Sequence, residues 1–161
     1  MADKYKTIVN TNYIIHIILF IFLIAFDQFT KYLVVTGLKG QPAIILIPGV
    51  LELQYLENTG AAFGILKDKQ WVFYIITVII VGVVGYLWWT IRKKLINYCR
   101  FCSVCPQDFN KKTFNNVNFL SYILVFLCAG AIGNMIDRVV NKYVVDFIYF
   151  RIIDFPIFNF A

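Results

Sequence analysis

Charge is what this sequence has least of. Only 15% of its 161 residues are Asp, Glu, Lys or Arg, while 60% are hydrophobic and 18% aromatic. Soluble domains average about 25% charged residues. A soluble fold of this size could not cover so much apolar surface with so few charges. Histidine is scarcer still: His16 is the only one. It stands at the start of the first long apolar block and reads as an interfacial residue. A zinc peptidase's histidine pair is therefore missing, and no histidine remains for a serine triad elsewhere. "CRFCSVC" offers Cys99, Cys102 and Cys105 with no histidine beside them. Structural zinc needs about four ligands. These thiols are expected to be reduced, or palmitoylated beside a membrane. Cys128, within an apolar block, reads as packing. No repeat and no low-complexity linker divides the chain, so one domain over 1–161 is expected.

What is present is apolar length. Residues 13–35, 71–91 and 117–136 are three mostly apolar blocks. Each meets the need for about 20 residues to cross a bilayer core. Trp71, Tyr86, Trp88 and Trp89 lie near the ends of the second block, where amphipathic rings favour the interface. Lys4 and Lys6 precede the first block, as in a signal peptide, but "DQFTK" follows where a small-residue cleavage site would stand. The expectation is an all-α polytopic membrane protein with three spans.

Lys and Arg then orient it. The loop 92–116 holds Arg92, Lys93, Lys94, Arg100, Lys111 and Lys112, whereas 37–70 holds Lys39, Lys67 and Lys69. The more basic loop belongs in the cytoplasm, which puts 37–70 and 137–161 outside. The net charge of +6 is thus a topology signal and calls for no nucleic acid. In the outer segment, "PAIILIPGV" and "LELQYLENTG" read as two short strands forming a cradle on the membrane face. Leu51, Leu53 and Tyr55 alternate with Glu52 and Gln54, the period of a half-exposed strand. "GAAFGILKDKQW" reads as a short outer helix feeding the second span.

Ionisable groups inside a span cost roughly 2.5–3.5 kcal/mol each at mid-helix. Asp27 and Lys31 lie one turn apart in the outer half of the first span, and Asp137 and Arg138 end the third. Each pair can be read as charges that neutralise one another. Asp146, in "YVVDFIYF", has no adjacent basic residue, and burial there would raise its pKa. It is the strongest candidate for a functional carboxylate. Asp154 has Arg151 three residues before it as a ready partner. Asn58 and Asn134 sit beside small residues that permit close helix approach, and their amides can hold a carboxylate or a substrate backbone. Two chemistries remain open. One is an ion- or proton-coupled transporter with Asp27 and Lys31 as relay. The other is aspartic hydrolysis, in which two carboxylates share a proton and activate water.

"DQFTK", "ENTGAAFG", "GAIGNMIDRVV", "VVDF" and "FNFA" occur in that order over essentially the whole chain. In this the sequence resembles lipoprotein signal peptidase (signal peptidase II). The resemblance implies an intramembrane aspartic endopeptidase of the bacterial inner membrane, sensitive to globomycin. It implies four transmembrane helices, both termini in the cytoplasm, and an outer β-cradle with a short outer helix. The substrates implied are prolipoproteins, cut before the diacylglyceryl-modified cysteine. No metal or cofactor is implied; the partners are substrate and membrane lipids, and the protein is expected to be a monomer. Asp146 matches one catalytic aspartate. Asp27, Lys31, Asn58, Gly60, Asn134, Asp137, Arg138 and Asn159 fall in motif positions that support the dyad or contact substrate. The other aspartate belongs to a block reading Phe-Asn-x-Ala-Asp. Here Phe158, Asn159, Phe160 and Ala161 are present, and the aspartate is expected next. The fourth span is likewise expected beyond Ala161, and a protein ending there is expected to be inactive.

Overall fold

The computed structural model describes residues 2–60, 66–67, 69–101 and 111–161, with side chains left undescribed at 2–11, 95–101 and 111–115. Three helices carry most of these residues: α1 (Ala2–Leu38), α2 (Gln70–Phe101) and α3 (Lys111–Val140). Their segments Asn12–Leu38, Gln70–Lys94 and Asn116–Val140 are long and apolar enough to cross a bilayer. Many Ile, Val and Phe side chains on them face outward. Such β-branched, aromatic-rich segments are poor helix formers in water, but in hydrocarbon a helix satisfies every backbone group internally. The helices run past the apolar blocks at several ends. Asp137 and Arg138 therefore belong to α3, not to the tail that follows it. α3 packs against both α1 and α2 and is the most buried of the three.

The strands are β1 (Ile44–Ile47), β2 (Leu51–Asn58) and β3 (Val144–Phe150), in an antiparallel sheet of order β1-β2-β3. The two-stranded cradle expected from the sequence is therefore three-stranded. Pro48 and Gly49 join β1 to β2. Gly49 has φ +71° and Val50 N–H donates to Ile47 O at 3.0 Å, the type II turn that Pro-Gly favours. β3 starts just after α3, where Lys142 adopts φ +69° and donates its N–H to Arg138 O at 3.2 Å. The tail then doubles back along β3. Phe158 O accepts from Phe147 N and Ile148 N at 2.9 and 2.8 Å, and Ile148 O accepts from Phe158 N at 3.0 Å.

A small core fixes the sheet on the C-terminal end of α1. Val34 and Leu38 of α1 bury Val145 and Phe147 of β3. Strand periodicity turns Asp146, between those two, to the opposite face. Burial of these four side chains stabilises the junction by roughly 1.5–3 kcal/mol each relative to exposure in water.

Three local expectations need correction. His16 is buried, 1% exposed, its ring stacked on Tyr122 with centroids 4.3 Å apart, so it is a packed residue and not a surface one. Arg151 pairs with Glu52 of β2 at 2.7 Å, while Asp154 accepts from Tyr149 Oη at 2.7 Å. Register across the sheet, where Glu52 faces Tyr149, outweighs proximity in sequence. Asp137 pairs with Lys31 at 2.9 Å and not with Arg138, because neighbours on a helix point about 100° apart. Half of the expected outer helix, residues 61–65 and 68 of 60–71, lies outside the described residues, as do Cys102 and Cys105 within 102–110.

Candidate active site

The residues singled out in the sequence converge at the sheet end of the bundle. Asp146 is 4% exposed. Its Oδ2 accepts from Asn58 Nδ2 at 2.7 Å and its Oδ1 from Asn159 Nδ2 at 2.6 Å. The two asparagines are held alike. Asn58 Oδ1 accepts from Gly60 N at 2.9 Å, and Asn159 Oδ1 accepts from Ala161 N at 2.7 Å. In each, a backbone N–H two residues onward fixes the amide oxygen, so the NH₂ end must face Asp146. Two turns, one after β2 and one in the tail, thus aim matching donors at the two oxygens of one carboxylate.

Around this lies a denser charge group. Lys31 Nζ contacts Asp27 Oδ2 and Asp137 Oδ2, each at 2.9 Å, and donates to Asn134 Oδ1 at 3.0 Å. Asn134 Oδ1 also accepts from Asn159 Nδ2 at 3.2 Å, which links the group to Asp146. Asp137 Oδ2 accepts from Val145 N at 3.2 Å and so pins the start of β3 to α3. Arg138 donates from Nη2 to Gly60 O at 3.2 Å, and its guanidinium lies over the Phe73 ring at 4.3 Å. It thereby holds the Asn58–Gly60 turn from the far side.

Gln28 was not singled out in the sequence. Its Nε2 reaches Asp27 Oδ2 at 3.1 Å, Gly133 O at 3.1 Å and Asp137 Oδ1 at 3.2 Å. The signal was there: a second polar side chain beside Asp27 in an apolar span carries the same cost as its neighbour.

Charge is unevenly shared. Asp27, Asp137 and Asp146 face two cations, Lys31 and Arg138. Lys31 is taken by Asp27 and Asp137. Asp146 has no cation within ion-pair distance among the described residues. Burial pushes its carboxyl above the usual range. Asn58 and Asn159, and at longer range Lys31 and Arg138, oppose that rise without overcoming it.

Two glycines make the convergence possible. A Cβ at Gly130 would stand 2.7 Å from the carbonyl carbon of Ala161, and one at Gly133 would collide with Asp27 Oδ2. Gly133 therefore lets α1 lie close on α3, and Gly130 lets the tail lie in the notch beside them. A cleft of about 250 Å³ opens onto Asp146 between Asn58, Gly60, Asn134, Arg138 and the tail. Among the described residues no group of three His, Cys, Asp or Glu is arranged to hold a metal ion.

A family model described as signal peptidase (SPase) II matches residues 19–161. The chain belongs to the signal peptidase II family. This is a family of aspartic proteases. The lipoprotein signal peptidase of Latilactobacillus sakei is 36% identical over 148 residues, which is 92% of this chain and 83% of that protein. That of Shouchella clausii is 42% identical over 139 residues, 86% of this chain and 77% of that protein. A structure described as a bacterial membrane enzyme by the in meso method at 2.3 Å resolution is also similar. It has 35% identity and TM-score 0.67, covering 90% of this chain and 76% of that one. With three apolar helices, this member of the signal peptidase II family is a multi-pass membrane protein.

Proposed function

We propose that Asp146 is one carboxylate of the pair with which this signal peptidase II cleaves prolipoproteins before their diacylglyceryl-modified cysteine. One observation carries the reading: Asp146 is the buried carboxylate left to neutral amides while its neighbours are paired with Lys31. A carboxylate so placed keeps an elevated proton affinity and can both give and take a proton. Its partner is the aspartate expected after the Phe158–Ala161 block, on the tail that Asn159 ties to Asp146.

With one proton shared, the ionised carboxylate takes a proton from water. The water oxygen attacks the scissile carbonyl carbon, and the protonated carboxyl gives its proton to the carbonyl oxygen. Collapse breaks the C–N bond: the carboxyl that took the water's proton gives it to the leaving nitrogen, and the ionised carboxylate takes a hydroxyl proton from the intermediate, which restores the shared proton. Asn58 and Asn159 keep Asp146 in place through both protonation states. Asp27, Lys31, Asn134, Asp137, Arg138 and Gly60 hold the turn, strand and tail that carry the reacting groups.

The basic loop after α2 supports a cytoplasmic position for that end of the bundle. The sheet and Asp146 then face the outer side of a bacterial inner membrane, with the three spans forming part of the family's four-helix arrangement. A lipidated substrate anchored in the outer leaflet presents its scissile bond at that depth. The relay reading loses its footing because Lys31 Nζ already makes three short contacts, to Asp27, Asp137 and Asn134. An ammonium has only three protons to give.

The test is cleavage of a diacylglyceryl prolipoprotein by the full-length protein in lipid. Asp146→Asn is expected to lower the rate by ~10³-fold or more, since groups that act as a unit lose most of their effect together. Unchanged turnover in that variant sinks the assignment.

A further inference from the structure

The end of the bundle away from the sheet holds a second polar cluster that peptide hydrolysis does not use. Arg92, near the end of the second span, is only 3% exposed. Among the described residues no carboxylate lies within ion-pair distance of it. Its Nη1 donates to Asn118 Oδ1 at 3.3 Å, and its Nη2 faces His16 Nε2 at 3.1 Å. Nη2 also lies 3.0 Å from His16 Nδ1, which in turn lies against Asn12 O. An imidazole, neutral or protonated, carries no negative charge, so among the described residues the guanidinium charge is left uncompensated. A buried cation without an anion is strongly unfavourable. Arg92 Nε and Trp88 Nε1, one turn apart on α2, are also buried donors without an acceptor among the described residues.

Beside these donors lies an apolar cavity of about 200 Å³, partly open to the bundle surface. His16 and Trp88 close the end nearest Arg92, Phe20, Val84 and Leu124 line its wall, and the surface it exposes is apolar throughout. Its lining offers a water nothing to bond with. Lys93 and Lys94 stand exposed next to Arg92 and add to the positive field.

We propose that this end of the bundle binds one anionic phospholipid, its phosphodiester on Arg92 and Trp88 and an acyl chain in the cavity beside His16. A phosphodiester supplies one negative charge and several acceptor oxygens, matching a cation with two orphaned donors. An acyl chain supplies what the cavity lacks. The site shares no residue with Asp146 or its supports. His16 and Asp27 are eleven residues apart on α1, roughly 16 Å along the axis.

The experiment is native mass spectrometry of the full-length protein released from nanodiscs of phosphatidylglycerol or phosphatidylcholine. One phosphatidylglycerol is expected to stay bound, with phosphatidylcholine retained at least about tenfold less. Arg92→Gln is expected to cut phosphatidylglycerol retention by about tenfold or more. Gly85→Leu is the second variant: a Cβ at Gly85 meets nothing within 4 Å and the residue lines the cavity. It fills the slot and leaves Arg92 in place, and should lower retention while leaving prolipoprotein cleavage unchanged. Equal retention of the two lipids overturns the proposal. So does phosphatidylglycerol retained undiminished by Gly85→Leu, which decides the matter if Arg92→Gln does not fold. Displacement of the lipid by inorganic phosphate or by glycerophosphoglycerol, which has the headgroup without chains, shows an anion pocket only and overturns it too.

Discussion

Asp146 and the Asp27–Lys31–Asp137 group lie at the same end of the bundle, linked through Asn134 and Asn159, yet they manage charge in opposite ways. Lys31 sits between two carboxylates at 2.9 Å from each, so burial is offset by attraction. Asp146 receives two amide hydrogen bonds and, among the described residues, pairs with no cation. The paired charges join α1, α3 and β3. A carboxylate held by neutral donors is fixed in place but keeps its proton within reach. On the proposed function, the difference separates what builds the site from what would react in it.

The largest expected effect comes from breaking the paired half. Lys31→Met leaves Asp27 and Asp137 buried without their cation, and is expected to destabilise the protein by about 3–5 kcal/mol. Chemical unfolding in micelles measures this. Adding Asp27→Asn should restore part of the loss, since it removes one of the stranded charges. A loss below about 1 kcal/mol would mean that water reaches the group, and the contrast with Asp146 would fail.

Asp146 should behave in the reverse sense. Burial raises its folded pKa above the ordinary value of 3.8, so the folded state holds a proton that the unfolded state releases. Its contribution to stability is therefore largest below pH 3.8 and is lost as pH rises through the folded pKa. Asp146→Asn should abolish that slope and leave the protein at least as stable at neutral pH, while activity collapses. Unfolding curves across pH 3–7, compared with wild type, check the sign. An Asn variant less stable at pH 7 than at pH 4, by the wild-type margin, would show that another group titrates there.

Asn159→Ala removes one of the two bonds that hold the Asp146 pKa down. That pKa should rise further, and the acid limb of kcat/KM, which needs one ionised carboxylate, should move to higher pH. A variant with lower kcat but an unmoved acid limb would make Asn159 a support of the tail alone.

Much of the fold was legible because its main constraint is simple. Three apolar stretches of bilayer length must be helices, and Pro48-Gly49 between β-branched runs must turn. β3 was not legible. "VVDFIYF" is buried on both faces at Val144–Phe147, so the alternation that marks β2 has nothing to reveal. The ordered motifs brought Asp146, Asn58, Asn134, Asn159, Asp27 and Asp137 into one list, and the fold brings them into one site. Their pairing could not be read in the same way. Asp137 chose Lys31 over adjacent Arg138, and Arg151 chose Glu52 over nearby Asp154, because helix packing and strand register decide which side chains meet.

The smallest effect sharpens the comparison within a single stretch, since Asp154 stands eight residues after Asp146. Asp154 is exposed, in the left-handed region at φ +46°, and among the described residues its side chain accepts only from Tyr149 Oη. Asn tolerates that backbone conformation as well as Asp does and keeps an acceptor oxygen for the tyrosine. Asp154→Asn should therefore change stability by less than about 0.5 kcal/mol, the usual range for a surface substitution. Prolipoprotein cleavage should stay within about twofold of wild type, because 1.4 kcal/mol would be needed for a tenfold change. A large loss of cleavage in Asp154→Asn would place a second titrating group at the site's edge. The contrast would then lie between two reactive carboxylates and not between a reactive one and a surface charge.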